Sequence, residues 1–350
     1  MNPPPVEVPA KKLLRGRRRR LRIAAEVLVL GALIAFGWFE HTTVSQSVVV
    51  VGRAQWGWLL AAGGFELLSM MAFARTQRIV LRAAGVHASI PSMAATALAG
   101  NAISVSLPLV GPGAGSLFSY GRFRQVASDP APAGWALLIS GLISNLVWVL
   151  LVAIGATVSG NPAATFSGVL VGVGIVVATI TGVLALHRPS SRNLIVRLGV
   201  RLVRISQRLR GRPVGDPEDV AQHALDTLSA FRMRPREWVQ TVSLSFVNWL
   251  ASVGCLVASI LAVGASVPWT KVILIYCLGA TASSFNLTPG GLGVTEAVLT
   301  AGLVASGLRP VEALGSVLVF RLVSFWLVTL VGWIIYSDLR RKKTRRDRET

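Results

Sequence analysis

The chain has 350 residues, of which 53% are hydrophobic and only 14% charged, with a formal net charge of +20. Soluble domains carry about 25% charged residues and disordered chains lack apolar surface, so the composition excludes both classes. The two cysteines, Cys255 and Cys277, lie in apolar stretches and offer no disulfide framework or zinc site. We therefore expect an all-α, polytopic integral membrane protein.

Several segments are long and apolar enough to cross a bilayer, since a spanning helix needs about 20 mostly apolar residues. In chain order they are residues 22–40, 56–74, 134–158, 165–186, 239–264 and 313–336. Two further apolar stretches, residues 91–127 and 270–307, are interrupted by proline and glycine. We expect these two stretches to form re-entrant helical hairpins.

The basic residues predict the orientation, because Lys- and Arg-rich segments stay on the cytoplasmic side. Residues 1–22, 187–236 and 337–350 carry 8, 11 and 7 of the 35 basic residues. All three segments can be cytoplasmic only if residues 91–127 cross the membrane an even number of times. A hairpin that enters and leaves on the cytoplasmic face meets this condition and places both termini in the cytoplasm.

An internal repeat relates the two interrupted stretches. Each copy has a spanning helix, a short turn, an apolar helix, a Pro/Gly break and another apolar helix. The copies share a tryptophan, a turn glycine and a break proline: Trp58, Gly85 and Pro108, then Trp238, Gly264 and Pro289. By the charge count the copies have opposite orientations. Such inverted repeats are typical of a transporter-like substrate site, although duplication with glycines used only for packing is the alternative.

The segment SSFNLTPGGLGVTEAVL, residues 283–299, resembles the transmembrane flippase-type region of bacterial lysylphosphatidylglycerol synthases and their stand-alone relatives. The matching positions are Asn286, Pro289, Gly290, Gly291, Gly293 and Glu296. The resemblance covers about residues 25–340 and implies movement of a lipid between bilayer leaflets. Because only a basic tail follows the last span, without room for the soluble synthase domain, we expect a stand-alone member of the family.

The chain is expected to have three parts. These are a basic cytoplasmic segment (1–21), a flippase-like transmembrane domain (22–337) and a basic cytoplasmic tail (338–350). Within the domain, residues 188–236 predict cytoplasmic amphipathic helices, whose arginine face would lie against anionic lipid. Since the arginines flank the spans in the positive-inside pattern, we expect no nucleic-acid partner.

The break in the second copy predicts a site for an anion. Pro289 and the glycines after it would end one half-helix and let the chain turn sharply. The next half-helix would then direct its N–H groups and its positive dipole end into the membrane interior, where they favour a lipid phosphate. Glu296, in the first turn, either caps these donors, contacts a cationic headgroup or carries a coupling proton.

Ionisable residues at membrane depth are costly and usually face the interior or a cavity. We expect Arg321, within the last span, to pair with Glu296 or Glu66 when the site is empty and with a lipid phosphate when it is loaded. A purely structural ion pair is the alternative. Glu26 is expected to snorkel to the interface. Four asparagines could line the pathway or serve only as interhelical hydrogen bonds: Asn101, Asn145, Asn248 and Asn286.

The candidate lipid-headgroup site combines these residues. It comprises Glu66, Asn101, Pro108, Asn286, Pro289, Gly290, Gly291, Gly293, Glu296 and Arg321. The sequence has no phosphate loop, HExxH or GxSxG motif, so we expect no catalytic residues, metal or cofactor.

The expected function is translocation of an anionic phospholipid or lipid-linked intermediate across a cell inner or plasma membrane, without ATP. The expected partners are membrane lipids, with a separate lipid-modifying enzyme as a further candidate. Two alternatives stay open at this point. One is an enzyme or accessory subunit acting on polyprenyl-phosphate lipids with Glu296 as base, and the other is a small-solute secondary transporter.

Overall fold

The computed structural model describes residues 51–127, 130–160, 233–284 and 288–349, together with the isolated residues 49, 174 and 200. The long helices in these ranges are α1 Trp56–Ala83, α2 Ile90–Ser106, α3 Gly111–Ala127, α4 Pro130–Val158, α5 Pro235–Ala262, α6 Val272–Ser284, α7 Val294–Ala305, α8 Pro310–Arg321 and α9 Val328–Glu349. A 3₁₀ turn, Pro289–Gly291, precedes α7, and a π-helical turn, Leu322–Leu327, joins α8 to α9. The all-α prediction is confirmed.

Four helical segments of the described chain are long and apolar enough to span a membrane. They are Trp56–Ala83, Pro132–Val158, Pro235–Ala262 and the 33-residue run Pro310–Lys342. The first, second and fourth contain the predicted spans 56–74, 134–158 and 313–336, whereas the third ends at Ala262, two residues before the end of the predicted span 239–264. Helix α1 continues past residue 74 to Ala83, because a helix can extend beyond its apolar part. The other two predicted spans, Glu26, Asn286 and the amphipathic segment before residue 233 lie outside the described residues, apart from the isolated residues 174 and 200.

Helices α1 and α5 pack against each other in opposite directions. The backbone N–H of Gln55, just before α1, donates to the carbonyl oxygen of Ala262, the last residue of α5, at 2.8 Å. In the middle of the pair, Ser69 Oγ donates to Asn248 Oδ1 at 2.9 Å. The helices approach closely here, and a Cβ on Gly254 would lie only 2.9 Å from the ring of Phe65.

Ser69 and Asn248 occupy equivalent places in the two copies of the repeat. They are 179 residues apart, a separation that also relates the starts of α1 and α5. It relates the turn glycines as well, Gly85 with a φ of +80° and Gly264 with a φ of +77°. Equivalent residues can touch only where the symmetry axis passes between them. The pseudo-two-fold axis of the repeat therefore passes beside this hydrogen bond.

The two broken hairpins enter from opposite ends of the α1–α5 pair. At the end of α1, a buried cluster joins Leu81 with the start of α2 and with Phe123 near the end of α3. At the end of α5, another joins Ile260 with the start of α6 and with Leu303 near the end of α7. Because α1 and α5 are antiparallel, the first hairpin (α2–α3) and the second hairpin (α6–α7) are inverted with respect to each other, as predicted.

Candidate functional site

The break of the second hairpin is built on glycines in the left-handed backbone region. Gly290, Gly291 and Gly293 have φ values of +60°, +66° and +84°, which side chains other than glycine rarely adopt. A Cβ on Gly290 would collide with the ring of Phe325, and one on Gly291 would lie 2.9 Å from the Cα of Ser283. The glycines therefore let the break pack directly against its neighbours.

Arg321, the last residue of α8, lies beside this break. Its Nε donates to Glu296 Oε1 at 2.6 Å, and its Nη2 donates to the carbonyl oxygen of Gly290 at 2.8 Å. The guanidinium carbon is 4.3 Å from the centre of the Phe325 ring. Only 7% of Arg321 is exposed. Because a guanidinium has five N–H donors, these contacts hold it in place and leave donors for a ligand.

Glu296 joins Arg321 to the start of α7. Its Oε2 accepts from the backbone N–H of Gly293 at 2.6 Å, while its Oε1 accepts from Arg321. A carboxylate in the first turn satisfies an N–H that lacks an intrahelical partner and is favoured by the helix dipole. The structure thus shows the predicted capping contact, and it pairs Arg321 with Glu296 rather than with Glu66.

A π-helical turn follows Arg321 directly. Single π turns insert one residue into a helix and occur frequently at functional sites. Here the turn contains Phe325, which supports the guanidinium from one face and fills the space that Gly290 leaves open. It also contains Ser324, whose Oγ donates to the carbonyl oxygen of Phe320 at 2.8 Å.

A cavity of about 420 Å³, called the central cavity below, lies between the two halves of the repeat. Five residues that the sequence singled out line it: Glu66, Asn101, Asn248, Gly290 and Arg321. Most of its polar lining was not predicted: Ser69, Ser144, Ser252, Tyr276, Ser283, Ser284, Thr295 and Ser324. Serine and threonine are common wherever membrane helices pack, so no sequence signal separates these from other hydroxyl residues.

A known protein family matches most of this chain. The family described as lysylphosphatidylglycerol synthase TM region matches residues 23–332. The chain belongs to this family. This match confirms the family that the Pro-Gly-Gly segment predicted. Together with the spanning helices, it makes the chain a multi-pass membrane protein.

Three archaeal membrane proteins are similar to this chain over part of their length. A UPF0104 membrane protein of Pyrococcus horikoshii is 28% identical over 116 residues, 33% of this chain and 35% of that protein. Two UPF0104 membrane proteins of Methanothermobacter thermautotrophicus are each 32% identical. One matches over 94 residues (27% of this chain and 28% of the relative), the other over 91 (26% of each). The matched segments therefore span about a third of these relatives or less.

Some predicted residues lie away from the wall of the central cavity. Glu296 and Gly293 stand behind Arg321, Pro289 is exposed, and Asn145 is exposed on α4. The break of the second hairpin contacts α2, whereas Pro108 lies in the turn beyond the end of that helix.

A smaller cavity of about 230 Å³ adjoins the central cavity on the side of the first hairpin. The two share Phe73, Ala97 and Asn101. Apolar residues line part of the smaller cavity, and its other side chains are polar but uncharged, including Gln77, Ser104, Ser116, Ser119 and Ser140. Within the described part of the chain, no group of three or more metal-ligating side chains lies at either cavity.

Proposed function

We propose that this protein moves an anionic phospholipid or lipid-linked intermediate between bilayer leaflets without ATP. The observation that supports this most is the buried guanidinium of Arg321, held in place with unused donors at the wall of the central cavity. Inverted repeats with broken helices place substrate sites near the membrane midplane, where rocking of one half against the other exposes them alternately.

The surroundings of Arg321 suit a phosphate group. Guanidinium pairs with phosphate through parallel N–H donors, and a side chain already fixed loses little freedom on binding. Thr295 is buried on the same wall, and its Oγ1 has no hydrogen-bond partner among the described residues. Ser283 and Ser324 add further hydroxyl groups. A phosphate at Arg321 would therefore find neutral donors close by.

The size of the central cavity favours a headgroup as its occupant. About 420 Å³ lies within the roughly 300–1,000 Å³ typical of small-ligand pockets, too little for a whole lipid. Apolar side chains, including Met70, Phe73 and Val105, share the wall with the hydroxyl groups. Ser284, at the end of α6, is both a lining residue and exposed, so the cavity reaches the protein surface there. The acyl chains would remain in the bilayer.

The proposal also includes the membrane, the orientation and the partners that the sequence predicts. The protein would act in the cell inner or plasma membrane with both termini in the cytoplasm, as the distribution of basic residues indicates. It would act as a carrier rather than an enzyme, with membrane lipids as its ligands. A separate lipid-modifying enzyme would then supply or consume the lipid.

The test is lipid translocation by the purified protein in phosphatidylcholine vesicles that contain a trace of fluorescent phosphatidylglycerol. A reductant added outside quenches only the outer leaflet, so loss of the inner fluorescence reports flipping. We expect Arg321→Ala to slow flipping at least tenfold and Arg321→Lys to slow it less, because lysine keeps the charge but not the paired donors. Fluorescent phosphatidylcholine should flip more slowly than the anionic probe.

A matched control is Glu312→Gln, which changes an exposed ion pair with Arg309 and should flip lipid at the rate of the unmodified protein. The folding of each variant is checked by its gel-filtration profile in detergent. Equal flipping by the unmodified protein and a folded Arg321→Ala or Arg321→Lys variant would contradict the proposal. Mass spectrometry of lipid that copurifies with the unmodified protein then identifies the natural cargo.

A further inference from the structure

Glu66 is a buried acid that the proposed phosphate site does not use. It lies in α1, is only 6% exposed and lines the central cavity. Its Oε2 has no hydrogen-bond partner among the described residues. Glu296, by contrast, has a contact for each oxygen. A buried ionised carboxylate without partners is costly, so a purely structural role does not account for Glu66.

The groups that face Glu66 give it no counter-charge. Tyr276 on α6 and Cys255 on α5 interact with it electrostatically and are neutral side chains. The lining residues of α2 and α4 are uncharged. Arg321 shares the cavity, but Glu296 balances its charge, and no described ion pair joins it to Glu66. Among these groups, Glu66 therefore has no positively charged partner of its own.

The symmetry of the fold places Glu66 near the centre of the membrane. It lies three residues before Ser69, about 4.5 Å along the helix, and Ser69 lies at the pseudo-two-fold axis. In an inverted repeat this axis lies in the membrane plane. The equivalent residue 179 positions later is Ser245, which is also buried, so only one half of the repeat carries an acid here.

We propose that Glu66 binds one proton during each transport cycle and that this proton crosses the membrane together with the anionic lipid. The inference rests on the proposed function. A lipid phosphate at Arg321 and an ionised Glu66 would place two negative charges in the central cavity. Arg321 would not offset both of them, because Glu296 already balances its positive charge. The bound phosphate therefore disfavours the ionised form of Glu66, and the ionised form disfavours the phosphate. By linkage, protonation of Glu66 favours lipid binding, and lipid binding favours protonation to the same extent. The proton enters from one aqueous side and leaves to the other, with no bond made or broken in the lipid.

The first test imposes a pH gradient on vesicles that contain a trace of the fluorescent anionic lipid. One-to-one cotransport driven by one pH unit should enrich the lipid up to about tenfold in the leaflet on the alkaline side. Glu66→Gln, an isosteric and permanently neutral variant, should give the same distribution with and without the gradient. Glu312→Gln should respond as the unmodified protein does. A gradient response that survives in Glu66→Gln, or is absent from an unmodified protein that flips lipid, overturns the inference.

The second test does not depend on transport. Infrared difference spectra of the protein in lipid, recorded against pH, should show the carbonyl band of a protonated carboxylic acid that Glu66→Gln lacks and Glu312→Gln keeps. If the unmodified protein flips no lipid, the proposed function fails, and the infrared band alone decides whether Glu66 binds a proton. The absence of the band, or its persistence in Glu66→Gln, contradicts a proton site at this residue.

Discussion

Glu296 and Arg321 form an ion pair of 2.6 Å that ties the first turn of α7 to the last residue of α8. The two side chains are 17% and 9% exposed, so the pair is largely removed from solvent. The same glutamate caps α7, and the same arginine bonds to the carbonyl oxygen of Gly290. One contact therefore fixes the shape of the break and the direction of the guanidinium together.

Loss of the Glu296 side chain should destabilise the protein strongly. Glu296→Ala leaves Arg321 buried without its partner and α7 without its cap, and removal of one member of a buried pair costs about 3–5 kcal/mol. Glu296→Gln keeps an acceptor for the Gly293 N–H and should cost less. Thermal or denaturant unfolding in detergent measures both variants.

The matched control for this prediction is Glu312→Ala in the first turn of α8. Glu312 also accepts from a backbone N–H at its helix start, that of Arg309, but its ion-pair partner is exposed. Because exposed pairs contribute at most about 1 kcal/mol, this variant should be affected much less. Similar losses of stability in the two alanine variants would show that the Glu296–Arg321 pair adds nothing beyond a helix cap.

Gly290→Ala should distort the break and reduce lipid flipping. Its φ of +60° is unfavourable for alanine, and the new Cβ would collide with the ring of Phe325, the face on which Arg321 stacks. Gly64→Ala, in α1 with open space around it, should be neutral or slightly stabilising because alanine favours a helix by about 1 kcal/mol. Unfolding curves and the vesicle assay test both, and wild-type behaviour of Gly290→Ala would contradict the assigned backbone role.

The repeat and the main ion pair could be predicted from the sequence because each follows from a strong physical constraint. Turn glycines such as Gly85 and Gly264 stand out at matching positions in apolar sequence. A charged residue at membrane depth needs a partner, which limited the choices for Arg321 to two carboxylates. Which of the two it contacts depends on how α7 packs against α8, and periodicity contains no information about that.

Other parts of the site could not be predicted from the sequence pattern. The π-helical turn after Arg321 inserts one residue into the segment LVSFWL, which contains no proline or glycine to mark it. The hydroxyl lining comes from helices far apart in sequence, as the bond between Ser69 and Asn248 illustrates. The break at Pro108 resembles that at Pro289 in sequence, and nothing in the pattern indicates that Arg321 bonds to the carbonyl oxygen of Gly290 at the second break.

Cysteine labelling should show that the two hairpins enter from opposite sides. Gln125, near the end of α3, and Ala305, at the end of α7, are both exposed. Each replaced by cysteine should react with an impermeant reagent from a different side of a sealed vesicle. Gly160→Cys, beyond the end of α4, should react from the same side as Ala305→Cys, since Gly155 packs against the start of α6. Labelling of Gln125→Cys and Ala305→Cys from one side would rule out the inverted arrangement.

Asn101→Leu should slow lipid flipping severalfold with little effect on stability. Asn101 lines both the central cavity and the smaller cavity beside the first hairpin, so a branched apolar side chain there would obstruct the connection and remove a polar contact from it. The same substitution at Asn145, an exposed residue of α4 outside both linings, is the control and should leave the rate unchanged. Equal rates for the two leucine variants in the vesicle assay would show that the headgroup does not pass between the cavities.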